Sequence, residues 1–174
     1  MKLLRHLLAI GTLPFVVAVI IPLYLIRASG GPNVGWNLAP PLGLLSTLVG
    51  GVLVASGVLL VYATVSLFAT IGKGTLAPWD PPSRLVIRGP YSYVRNPMIS
   101  GVLAILLGEA VFFGSFPVFS WFLIFFAVNA LIMPFIEEPL LEDRFGSDYV
   151  DYERAVPRWI PRFRRSGGWS DKSP

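Results

Sequence analysis

The chain has no cysteine, which excludes disulfides, thiolate metal sites and cysteine nucleophiles. It has one histidine, His6, beside Lys2 and Arg5. A single imidazole cannot build a His-rich metal site, so His6 reads as interfacial and no metal is expected. Charge is also scarce, at 14% of residues against about 25% in a typical soluble domain. Acidic residues are nearly missing before Glu137, where only Asp80 and Glu109 occur. Against these shortages stand 54% hydrophobic residues and a mean hydropathy of +0.66. That balance is too apolar for a soluble domain and reads as one polytopic membrane domain. The net charge of +4 would suit nucleic acid in a soluble protein. In a membrane protein basic residues mark the cytoplasmic side and its anionic lipids, so no nucleic-acid partner is expected.

Four apolar spans are expected, at about 7–26, 42–70, 98–113 and 116–136. The first is too long for a signal-peptide core of about 7–15 residues and is read as a retained span. Pro14 and Pro22 should kink it, with neighbouring helices satisfying the freed carbonyls. The second carries many small residues, with Ser46 and Gly50 at small-xxx-small spacing. The third is short, roughly 24 Å. Gly114-Ser115 leaves room for nothing but an antiparallel hairpin between spans three and four. From Glu137 to about residue 165 the chain turns polar. Leu140, Leu141, Phe145, Tyr149 and Tyr152 recur at mostly helical spacing, which predicts an amphipathic helix with a break at Gly146. The segment VPRWIPR should then fold back, and 166–174 reads as disordered. Residues 1–165 thus form one all-α membrane bundle with a cytosolic amphipathic tail. With the N-terminus inside, thirteen of the fourteen basic residues lie in the cytoplasm, as the positive-inside rule favours. Both termini are then cytoplasmic.

That topology brings the tail to the same face as the segment RGPYSYVRNPMISG, Arg88–Gly101. Gly89-Pro90 and Asn96-Pro97 are turn signals. Asn96 is a natural N-cap and Pro97 a natural first residue for span three. Arg88 and Arg95 can clamp a carboxylate or phosphate or contact lipid headgroups. Tyr91 and Tyr93 serve equally as belt aromatics or as ligand contacts. Glu137 and Glu138 end span four, where acidic charge opposes the helix dipole. Arg88, Arg95, Arg158 or a cationic ligand should compensate. Adjacent residues cannot both face one pocket, so their roles should differ. Glu109 lies inside span three, where a carboxylate is either functional or hydrogen-bonded to a neighbouring helix. Asn129 fits interhelical hydrogen bonding.

RGPYSYVRNPMISG followed by EEPLLEDRFGSDYVDYERAVPRWIP resembles the integral-membrane methyltransferases related to isoprenylcysteine carboxyl methyltransferase and phospholipid N-methyltransferase. The likeness covers about Leu76–Arg162. It implies S-adenosylmethionine bound from the cytosolic side and methyl transfer to a lipid or other hydrophobic acceptor entering from the bilayer. It implies cofactor contacts at Arg95, Asn96, Pro97, Gly101, Glu137 and Glu138, and Tyr91 is a cofactor-binding candidate beside them. Glu138, Arg95 and Arg158 are the candidate catalytic residues, Glu138 as a base if the acceptor is an amine. Where the family usually has tyrosine after NPM, this chain has Ile99. The rival readings are a nicotinamide-dependent membrane reductase of the sterol type and a non-catalytic lipid-binding protein.

Overall fold

The computed structural model describes residues 14–67, 85 and 87–160. The expectations for His6, the Lys73–Ser83 loop and the 166–174 end lie outside the described residues. Every regular element among those residues is helical. We number them α1, Val16–Ala28; α2, Leu42–Leu67; α3, Pro97–Phe113; α4, Phe116–Phe145; and α5, Ser147–Ala155. Short 3-10 turns at Val34–Asn37 and Gly89–Ser92 shape two of the connections.

The most buried helix is the short α3, and glycine puts it there. Gly50 and Gly57 on α2 face Gly108 and Gly101 on α3. A Cβ at Gly57 would lie 2.6 Å from the Gly101 carbonyl oxygen, and one at Gly108 would lie 2.8 Å from the Gly50 carbonyl oxygen. Each pair is spaced seven residues apart, so the two helices run antiparallel with backbones nearly touching. The small-residue contact is therefore carried by Gly50 and Gly57, not by Ser46, whose hydroxyl bonds its own helix at Gly43 O. On its other side α3 packs against α1 through Ala18, Val102, Ile105 and Leu106, and against α1 and α4 through Ile26, Ala110 and Val118.

The hairpin between α3 and α4 forms as expected. Gly114 takes a left-handed φ of +59°, and Ser115 caps α4 by accepting from the Val118 N–H at 3.4 Å. The α1–α2 loop covers this turn: the Asn33 N–H donates to Phe113 O at 2.8 Å, and Trp36 meets Phe116 edge to face. These connections occupy one end of the bundle. Residues 89–96, the end of α4 and α5 occupy the other.

Helices α2 and α4 are long and apolar enough to cross a bilayer, yet only 11% of the most apolar stretch of either is buried. Leu45, Leu48, Val52 and Leu59 on α2 face outward, as do Leu123, Ile124, Leu131 and Phe135 on α4. A soluble core helix is buried, so this is the surface of a bundle placed in lipid.

Two helices contain a turn the sequence reading did not anticipate. In α1 and α4 the backbone widens to a π-turn, at Val16–Ile20 and at Met133–Glu137, with the Ile21 N–H bonding Val16 O and the Glu138 N–H bonding Met133 O. Each turn begins six residues before a proline, Pro22 or Pro139. Proline has no N–H and crowds the preceding turn; widening relieves the crowding but still leaves one carbonyl without a helical donor. In α1 the cost falls on Val17 O: its α-helical donor is taken by Val16, and its π-helical donor would be Pro22. The Trp121 indole on α4 donates to it at 3.1 Å, the neighbour's rescue that a membrane helix needs. Span four was expected to stop at Ile136. The π-turn joins that span without interruption to the amphipathic segment, so the helix runs on to Phe145, and it breaks at Gly146, φ +57°, as expected.

The α2–α3 contact predicts that Gly57→Ala forces the helices apart and costs about 1–3 kcal/mol. Gly51→Ala is the control, because its Cβ would meet nothing nearer than the Phe112 ring at 4.0 Å. Thermal unfolding in detergent should show a clear loss for Gly57→Ala and none for Gly51→Ala.

Candidate functional site

The π-turn in α4 decides which glutamate faces inward. Along a regular helix the buried stripe through Asn129 and Met133 would continue to Glu137. One extra residue in the turn shifts the stripe, so Glu138 is buried and Glu137 is exposed. The two acids do differ in placement, as their adjacency requires, and Pro139 is the local signal that selects between them.

Glu138 is 8% exposed and is gripped by two arginines. Arg158 donates through Nε to Oε1 at 2.7 Å and through Nη2 to Oε2 at 2.6 Å. This fork-on-carboxylate geometry is the strong form of the ion pair. Arg95 Nη1 reaches Oε1 at 2.9 Å and also Glu153 Oε1 at 2.6 Å. Two arginines and two glutamates thus form a charge-neutral network at the end of the bundle, largely sheltered from water at Arg95 and Glu138. The bond to Glu138 holds the Arg158 guanidinium above its ordinary pKa.

Aromatic residues of α5 and the Gly89–Ser92 turn border the network. Tyr149 adjoins Arg95 and Glu138, and burial pushes its hydroxyl pKa up, so it stays neutral. Tyr152 donates to Tyr91 O at 2.8 Å, which ties α5 to the Gly89–Ser92 turn. Burial raises the pKa of Tyr91 and Tyr152 as well. Tyr149, Tyr152 and Val156 pack with Leu85, Ile87, Leu141 and Phe145 into a small core of their own. The Arg95 N–H donates to Pro157 O at 2.9 Å, so both main chain and side chain of Arg95 hold the C-terminal segment.

Of the sequence-derived candidates, Arg95, Glu138 and Arg158 meet directly. Asn96 occupies the N-cap position of α3 but does not cap it. Its amide donates to Met133 Sδ at 2.8 Å, which joins the start of α3 to the π-turn. Pro97 is buried at the first position of α3. Tyr91 is buried beside α5, while Arg88 and Tyr93 are exposed. Gly101 faces α2, where a Cβ would meet Val61 Cγ2 at 2.8 Å and Gly57 O at 3.0 Å, so its packing role is explained without a ligand. Glu109 stands thirteen residues beyond Asn96, about 20 Å along α3, away from the cluster. Its Oε2 is buried with no hydrogen-bond partner among the described residues, so the expected bond to a neighbouring helix is not made at that oxygen. Asn129 bonds within its own helix, to Phe125 O at 2.7 Å. The sequence reading missed Glu153 and Tyr149. Their one signal was a four-residue spacing on the buried face of α5.

Removing the Glu138 carboxylate leaves Arg95 buried beside Glu153 alone. Glu138→Ala should cost about 3–5 kcal/mol. Arg158→Lys, which keeps the charge but loses the fork, should cost about 1–3 kcal/mol. Thermal unfolding of the three proteins in one detergent checks this order.

Compared with known proteins, residues 45–148 match the family model described as phospholipid methyltransferase. The match runs from α2 into the start of α5, and it includes Arg95, Asn96 and Glu138 but not Glu153 or Arg158. No curated protein matches the chain.

Proposed function

Because the chain belongs to the phospholipid methyltransferase family, a family of enzymes acting on lipid, we propose that it transfers a methyl group from S-adenosylmethionine to an acceptor drawn from the bilayer. The observation that carries this reading is the convergence of Arg95, Glu138 and Arg158, from three distant stretches, at one end of a lipid-facing bundle.

The residues present fit the cofactor's charges. Arg95 Nε–H is buried with no hydrogen-bond partner among the described residues. No side chain caps the first turn of α3. Both features supply donors for a carboxylate. Glu137, exposed one residue from the clamp, is a carboxylate for an ammonium or ribose hydroxyls. S-adenosylmethionine bound here supplies an electrophilic methyl on a sulfonium. The chain's own part is positioning and exclusion of water. Glu138 serves that part by fixing both arginines, since each of its oxygens already accepts a guanidinium N–H. Aromatic packing of Tyr91, Tyr149 and Tyr152 seals the floor. The acceptor approaches along the apolar faces of α2 and α4.

The four helices α1–α4 are read as four spans, with the Arg95–Glu138 end in the cytoplasm together with both termini. Fluorescent-protein and alkaline-phosphatase fusions at the C-terminus test this. Fluorescence without phosphatase activity is expected, and the reverse result would refute the topology.

Purified protein should be thermally stabilised by S-adenosylhomocysteine, with a shift growing as the logarithm of its concentration above Kd. NADPH should give no shift. Stabilisation by NADPH alone would turn the reading to a nicotinamide-dependent reductase, and stabilisation by neither would count against a cofactor site.

A further inference from the structure

The segment Val156–Ile160, which follows α5, takes no part in the bundle core, yet it touches α4 at two widely separated points. Arg158 grips Glu138. The next residue, Trp159, lays its ring 5.7 Å from that of Phe126. Phe126 and Glu138 are twelve residues apart on α4, about 18 Å along its axis. Consecutive Cα atoms are only about 3.8 Å apart, so long side chains cover most of this distance, and the backbone at Arg158–Trp159 must lie between the two contact points. The backbone at Arg158–Trp159 therefore lies on the bundle side of Glu138, alongside the helix that crosses the bilayer.

What borders this segment is apolar. Phe126 sits on the same outward surface as Leu123, and Leu123 is 47% exposed. Ile160, next to Trp159, is 79% exposed. Phe126 thus belongs to the lipid-facing surface of α4, and Ile160 is an exposed apolar side chain next to the indole that packs on that surface. Irregular backbone in lipid is costly because its polar groups lack water. Here the cost is reduced: Pro157 has no N–H, the Val156 N–H donates to Tyr152 O at 2.9 Å, and Pro157 O accepts from the Arg95 N–H. The one charge, Arg158, points back toward Glu138, as a cation at this depth must.

We propose that Val156–Ile160 is a membrane-embedded strap whose Trp159 and Ile160 contact the acyl chains of the leaflet. Arg158 faces the polar cluster and Trp159 the hydrocarbon, so one short segment joins the charged site to the bilayer. The strap rests on this geometry and not on the methyltransferase reading.

The absence of native cysteine makes the test direct. Ile160→Cys carries a single nitroxide label at an exposed position, in full-length protein reconstituted in phosphatidylcholine nanodiscs. Leu131→Cys on α4 is the hydrocarbon reference, and Asp148→Cys on α5 the aqueous one. Relaxation by oxygen should exceed relaxation by a polar nickel chelate at residue 160, as at 131 and opposite to 148. A label at 160 with the accessibility of the label at 148 overturns the proposal, and would mark the surface as a water-facing one. Tryptophan emission gives a second measurement without the label. The component lost in Trp159→Phe should be quenched by lipids brominated on the acyl chain and shielded from iodide. Quenching by iodide in place of bromine likewise overturns the strap.

Discussion

A carboxylate with 8% of its surface exposed must be paired, and the pairing of Glu138 organises one whole end of this protein. Its partners come from the turn before α3 and from the chain after α5. Arg158 takes both oxygens in a fork, and Arg95 bridges one of them to Glu153. A buried pair of this kind adds little net stability over well-packed apolar residues. What it provides here is register. The α4 end, the 89–96 turn and the C-terminal strap can meet in one way that leaves no charge stranded.

That arrangement depends on how close the helices come below it. Glycine pairs bring α2 and α3 into backbone contact, and this holds α3 in the middle of the bundle despite its shortness. Its N-terminus is thereby fixed beneath the polar cluster, where Asn96 touches the sulfur of Met133. The same Met133 opens the π-turn that rotates Glu138 inward. Packing in the apolar interior and charge placement at the surface are thus joined through two residues. A change in the α2–α3 spacing would reach the arginine clamp through α3.

Much of this was legible in the sequence because the signals were strong and local. Long uncharged runs gave the helices, Gly114-Ser115 gave the hairpin turn, and Gly146 gave the break between α4 and α5. Convergence of Arg95, Glu138 and Arg158 was also legible, since charge balance in a charge-poor chain leaves few partners. The π-turns were not. A proline inside a helical run signals disturbance, but whether the helix kinks, ends or widens depends on which neighbour can take the freed carbonyl. For Val17 that neighbour is Trp121, more than a hundred residues away. Extension of α4 past Ile136, and the choice of Glu138 over Glu137, follow from the same hidden variable. Gly101 shows a further limit of spacing: it stands in a recognisable motif and also packs against Gly57, and spacing alone cannot separate a glycine that admits a ligand from one that admits a helix.

Methyl transfer to a lipid requires a charged, water-soluble donor and an oily acceptor to meet at one point. A protein can satisfy this only where polar groups are fixed at the edge of hydrocarbon without flooding it. Here the charges are cancelled within the protein before they reach the bilayer: two arginines against two glutamates, with neutral tyrosines beneath. Because the network is internally neutral, the unpaired Arg95 Nε–H and the exposed Glu137 carboxylate stand beside it without being drawn into the clamp. The strap completes the boundary, with its cation turned to the polar side and its indole to the apolar side. The division between water and lipid thus passes between two adjacent residues, Arg158 and Trp159.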